Sequence, residues 1–87
     1  MVMNVAVRHK LLVVDDDEMT RDVLGMVLKH FGFEVIKAGS GSVAKTITET
    51  DGAALSLVIL DMKMPGMDGE QTFDALHKLQ PDLPFLI

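Results

Sequence analysis

Leu11-Leu12-Val13-Val14-Asp15-Asp16-Asp17 sets four apolar residues directly against three consecutive carboxylates. A run that short, apolar at every position and partly β-branched, reads as a strand buried on both faces of a parallel sheet, with the acids marking its carboxyl end. The same figure returns at Leu55-Ser56-Leu57-Val58-Ile59-Leu60, which ends in Asp61. Two buried strands that both finish in acid are the features around which the remaining segments are placed.

Between them, Glu18 to Phe31 carries Met19, Val23, Met26, Val27 and Phe31 at helical spacing, with Asp17 positioned to cap the start and Gly32 the end. Phe33 to Ala38 reads as a further strand, and Ser42 to Glu49 as a short helix weakened by its threonines.

After Asp61, Met62 to Gly69 reads as a loop fixed by Pro65 and loosened by Gly66 and Gly69. Asp68 and Gln71 have the spacing of a capping box. The helix that follows is expected to turn Phe73, Leu76 and Leu79 inward and to stop before Pro81, with Leu83 to Ile87 opening a last strand. The order β-α-β-α-β-α-β implies right-handed crossovers and a mostly parallel sheet covered by helices on both faces.

Composition narrows the function classes. The chain has 87 residues, eight Lys and Arg against 13 Asp and Glu, a formal charge of −5 and no cysteine. One domain is the ceiling at this length. The negative balance argues against a nucleic-acid surface, since phosphate backbones attract clustered cations. Without cysteine there is no disulfide framework, which fits a reducing compartment and makes the cytoplasm the expected location. No apolar stretch approaches the ~20 residues of a spanning helix, and the N-terminus lacks the pattern of a signal peptide.

Parallel open sheets place ligand sites at the carboxyl ends of their strands, where the connection direction switches. If the strands ending in Asp15-Asp16 and in Asp61 are neighbours, the carboxylates converge. Two of them ~5 Å apart repel by roughly 3 kcal/mol at an effective dielectric near 20, so the cluster calls for a cation. All-oxygen donors with room for water suit Mg²⁺, whose shell is commonly completed by a phosphoryl oxygen. A carboxylate screened in this way can act as the nucleophile toward phosphorus, and Asp61, alone on its strand, is the best placed to do so.

Val13-Val14-Asp15-Asp16, Val58-Ile59-Leu60-Asp61 and the run Asp61-Met62-Lys63-Met64-Pro65-Gly66-Met67-Asp68-Gly69 together resemble the receiver domains of two-component response regulators, from about Lys10 to Ile87. The resemblance implies an α/β, flavodoxin-like doubly wound parallel sheet with strand order 2-1-3-4-5. It implies that Asp61 is the phosphoacceptor, Asp16 a direct Mg²⁺ ligand, Asp15 a ligand through water, and the Lys63 backbone carbonyl a further ligand. The implied partner is a sensor histidine kinase or a histidine phosphotransfer protein, and the implied chemistry is self-phosphorylation and dephosphorylation rather than enzymatic turnover.

The family has five strands and five helices, whereas four strands and three helices are read here. The expectation is a truncated receiver over residues 10–87 behind an N-terminal extension of residues 1–9, either a fragment of a longer regulator or completed by self-association through an exposed edge and face. The family's phosphate-contacting Ser or Thr and its Lys find no counterpart. Val5 and Val7 are open to three readings: an extension of the first strand, a cover for a bare face, or a tail.

The same residues admit competing readings. Three aspartates could simply open a helix, which suits Asp17 but leaves Asp61 unexplained. Asp15-x-Asp17 resembles the first motif of dehalogenase-like phosphatases, broken here by Met19. Gly39-Ser40-Gly41-Ser42-Val43-Ala44 fits a dinucleotide fingerprint in form but reads better as a turn and helix cap. A degenerate receiver serving only as an interaction or dimerisation module is the remaining alternative. No EF-hand spacing is present, His9, His30 and His77 are assigned no role, and Met62, Met64 and Met67 read as loop packing.

Overall fold

The computed structural model describes residues 9–64 and 68–87. The readings of Val5, Val7, Pro65, Gly66 and Met67 lie outside them. The strands are β1 (Lys10–Val14), β2 (Glu34–Ala38), β3 (Leu55–Leu60) and β4 (Phe85–Leu86); the helices are α1 (Glu18–His30), α2 (Gly41–Asp51) and α3 (Gly69–Leu79). All strand pairs are parallel, and the sheet order is β2-β1-β3-β4. This is the flavodoxin-like order as far as its fourth strand.

β1 occupies the centre because its sequence tolerates nothing else: Leu11, Leu12, Val13 and Val14 are all buried. Leu12 and Val14 face one side, where Ala38, Val58 and Leu60 of neighbouring strands meet Ala44 of α2, Leu76 of α3, and Met64 and Leu83 from the connections. Leu11 and Val13 face the other side, the one that α1 covers. The core is therefore thick beneath α2 and α3 and thin beneath α1.

The stripe Met19, Val23, Met26, Val27 and Phe31 does not face the sheet. Met19 is 75% exposed, Met26 69% and Phe31 72%. Gly25 and half-buried Leu24 and Leu28 point inward instead. A Cβ at Gly25 would sit 3.3 Å from Lys37 Cδ and 3.6 Å from Val35 Cγ1, so the missing side chain lets the helix ride close to β2. Asp22 and Lys37 add an ion pair at 2.9 Å along the same contact. The apolar arc of α1 is wider than the strip that β1 and β2 can cover, and close packing at Gly25 selects which part is buried.

α2 starts at Gly41 and ends at Asp51, longer than expected. Its threonines are accommodated because their hydroxyls donate back into the helix: Thr46 to the Ser42 carbonyl at 3.2 Å, Thr48 to Ala44 at 2.8 Å, and Thr50 to Ile47 at 3.1 Å. In α3, Leu76 is fully buried and Phe73 half-buried, but Leu79 is exposed and Thr72 takes an inward position. The last strand is shorter than Leu83 to Ile87: only Phe85 and Leu86 pair with β3, while Leu83 drops into the core.

The uncovered stripe on α1 forms a contiguous apolar patch of the kind that drives association. Sedimentation velocity over a concentration series is expected to show mass rising with concentration. The double change Val23→Lys and Met26→Lys should lower that rise and leave the fold intact, because neither side chain contributes to the core.

Candidate functional site

The strand ladder delivers the acids to one edge. β1 and β3 are in register from Leu11 opposite Leu57 to Val14 opposite Leu60. One residue further, the Asp61 N–H donates to the Val14 carbonyl at 2.9 Å, and on the other side the Asp15 N–H donates to the Ala38 carbonyl at 3.1 Å. Each backbone is thus still held by the sheet where its carboxylate begins. One oxygen from each of Asp15, Asp16 and Asp61 can be chosen so that all three lie within 4.8 Å of one another. Asp15 and Asp61 are half-buried and Asp16 is exposed.

Local hydrogen bonds set the aim of two of these acids. The Asp17 N–H donates to Asp15 Oδ1 at 2.9 Å, and the Lys63 N–H donates to Asp61 Oδ1 at 2.9 Å. Both are Asx turns, in which a short acidic side chain accepts from the backbone two residues on. Asp17 itself turns away from the cluster. Its Oδ2 accepts from the Thr20 N–H at 3.0 Å and from the Thr20 hydroxyl, capping α1 as expected. Those Thr20 bonds, led by the hydroxyl, hold the Asp17 carboxyl below the ordinary carboxylate range, with a smaller pull from Arg21. The three aspartates in a row thus divide into two that converge with Asp61 and one that begins a helix.

The far end of the loop after β3 is pinned by a backbone contact. The Gly69 N–H donates to the Met62 carbonyl at 3.3 Å. Asp68 Oδ1 accepts from the Gln71 N–H at 2.9 Å while Gln71 Oε1 accepts from the Asp68 N–H at 3.3 Å, completing the expected capping box. Met64 is buried in the core and Met62 lies at the surface, so loop packing describes the first and not the second.

The donor set is three carboxylates at a half-exposed edge, with no nitrogen or sulfur ligand, and it matches a hard divalent cation. Direct ligands on opposite sides of Mg²⁺ stand roughly 4.2 Å apart, so the cluster closes on one ion with small side-chain rotations or with one acid acting through water. Elsewhere the residues have plainer duties. Ser40 caps α2 by accepting from the Val43 N–H at 3.2 Å, which is the turn-and-cap reading of the Gly39-Ser40-Gly41 segment. His9 Nδ1 lies 3.2 Å from Ser56 Oγ at the opposite end of the strands, and His77 stacks on Phe73.

Two residues near the acids escape sequence reasoning. Arg21 donates from Nη1 to the Asp15 carbonyl at 3.0 Å, and Gly69 lets α3 start against the Met62 backbone. For Arg21 the only signal is a cation one helical turn after Asp17, which suggests an ordinary surface pair. For Gly69 it is a glycine in a loop already rich in turn residues.

Among the described residues, no helix is long and apolar enough to cross a membrane. A family model described as the response regulator receiver domain matches residues 11–87. The transcriptional regulatory protein GlrR of Escherichia coli (strain K12) is 38% identical over 77 residues, covering 88% of this chain and 17% of that protein. The response regulator protein FleR of Pseudomonas aeruginosa is 37% identical over 78 residues, covering 90% of this chain and 16% of its own length. The chain thus spans less than a fifth of these curated relatives. Among solved structures, a response regulator receiver domain protein from Clostridium thermocellum superposes with a TM-score of 0.85 at 28% identity, over 88% of this chain and 61% of that one. The CheX-CheY-BeF3-Mg+2 complex from Borrelia burgdorferi gives a TM-score of 0.84 at 26% identity, over 88% and 58% of the two chains.

Proposed function

The chain belongs to the response regulator receiver family, and on that footing we propose that it accepts a phosphoryl group on Asp61 from a sensor histidine kinase or a histidine phosphotransfer protein in the cytoplasm. What supports the reading above all is the convergence of Asp15, Asp16 and Asp61, with oxygens within 4.8 Å, at the carboxyl ends of two adjacent strands.

Asp16, Asp61 and the Lys63 carbonyl would hold Mg²⁺, with Asp15 acting through water. Bound there, the ion offsets the negative charge of the attacking carboxylate and of the phosphoryl oxygens. A free oxygen of Asp61 attacks phosphorus as the bond from phosphorus to the donor's imidazole nitrogen breaks. The products are an acyl phosphate on Asp61 and an unmodified histidine on the donor. Water later attacks the phosphorus, releasing inorganic phosphate and restoring the carboxylate. The Lys63 N–H on Oδ1 keeps the side chain oriented throughout.

Intact-mass measurement after exposure to acetyl phosphate tests this. The wild type with Mg²⁺ should gain one phosphoryl mass, and the gain should vanish with chelator or in Asp61→Asn. A gain that persists in Asp61→Asn removes Asp61 from the role. A wild type that stays unmodified while Mg²⁺ raises its melting temperature favours a module that only binds and associates.

A further inference from the structure

Arg21 stands beside three aspartates and pairs with none of the convergent ones. Among the described residues, the one ion pair within 4.0 Å is Lys37 with Asp22. Instead Arg21 reaches back from the first turn of α1 and donates from Nη1 to the backbone carbonyl of Asp15 at 3.0 Å, in a half-buried position. Its guanidinium rests against Gly39, just past β2, where an added Cβ would meet Nη1 at 3.0 Å and Cζ at 3.4 Å. One side chain therefore joins α1, the acid-bearing loop and the β2–α2 turn.

The bond matters because of where it falls. The Asp15 N–H is still held by the sheet, through the Ala38 carbonyl, but its carbonyl lies beyond the strand. That carbonyl belongs to the peptide plane joining Asp15 to Asp16, so rotating it re-aims both carboxylates. A charged donor on a partly buried carbonyl is among the stronger single hydrogen bonds available to a loop.

We propose that Arg21 is a positioning residue for the acidic site: by holding the Asp15 carbonyl, with Gly39 leaving room for its guanidinium, it fixes the aim of Asp15 and Asp16 while keeping its own charge off them. This rests on the reading of the site as a Mg²⁺ site. Charge and position predict opposite outcomes. A nearby cation repels Mg²⁺, so if Arg21 acted through charge alone its removal would tighten binding. If it acts by positioning, removal loosens binding.

The test is Mg²⁺ titration of the 87-residue chain, read by thermal shift, for wild type, Arg21→Met, Arg21→Lys and Gly39→Val, together with the carbonyl carbon shift of Asp15 in metal-free protein. Loss of a residue that orients metal ligands typically weakens affinity by about tenfold or more, and Arg21→Met should show that. Gly39→Val keeps the charge but displaces the guanidinium, and it should weaken binding comparably; Arg21→Lys should recover part of the loss. The Asp15 carbonyl shift should move in the Met and Val variants. Unchanged or tighter Mg²⁺ binding in Arg21→Met, or an unmoved Asp15 shift, overturns the proposal. If Arg21→Met does not fold, Gly39→Val decides alone by the same two readouts. A wild type that ignores Mg²⁺ removes the site reading and this proposal with it, whereas a responsive wild type with indifferent variants removes only this proposal.

Discussion

Gly69→Ala is expected to destabilise the protein by about 3 kcal/mol or more and to weaken Mg²⁺ binding at the same time, since the added methyl has nowhere to go. A Cβ there would lie 2.2 Å from Met62 Cα and 2.8 Å from both the carbon and the oxygen of its carbonyl. These are backbone atoms, so relief requires moving either the start of α3 or the segment directly after Asp61. Moving α3 breaks the Gly69 N–H bond to Met62 and strains the capping box of Asp68 and Gln71. Moving Met62 disturbs the Asx turn that orients Asp61. Urea unfolding should show a lower midpoint, and Mg²⁺ titration of the variant should show a higher half-saturation. A variant with wild-type values for both would mean that the contact between Gly69 and Met62 is dispensable.

Leu12→Ala should cost about 3 to 4 kcal/mol, a value in the usual range for truncating a fully buried leucine. Leu12 has no exposed surface and sits at the middle of the central strand, among Val14, Ala38, Ala44, Val58 and Leu76. No neighbour can collapse into the space without pulling a strand or helix with it. For a chain this small the total is of order 5 to 10 kcal/mol, so the loss would remove a large part of it. The urea midpoint should fall with the slope unchanged. Met26→Ala supplies the contrast: an apolar residue of similar size, 69% exposed on α1, whose truncation should stay within about 0.5 kcal/mol.

That contrast marks how far the amino-acid order could be read. The central strand was legible because an apolar run ended by acids has one comfortable environment, and strand adjacency then places Asp15, Asp16 and Asp61 together. The rotation of α1 was not legible. Periodicity locates an apolar stripe, but burial of Gly25 and exposure of Met19 and Met26 depend on how closely β2 can be approached, a property of two segments at once. The length of α2 was underestimated for a related reason: threonines disfavour helix in isolation, yet here their hydroxyls donate to carbonyls one turn back. The cap at Asp17 and the box at Asp68 were legible because they depend on residues three apart. The Arg21 bond to a main-chain carbonyl follows from no residue type at all.

The two Asx turns carry a consequence for ion discrimination. Asp15 and Asp61 each commit Oδ1 to a backbone N–H two residues on. Calcium favours six to eight oxygens and often takes both from one carboxylate, whereas magnesium keeps a tight octahedron built from single oxygens and water. On the proposed Mg²⁺ reading, acids tethered in this way would resist chelating an ion with both oxygens, and the loop backbone would thereby favour the smaller ion.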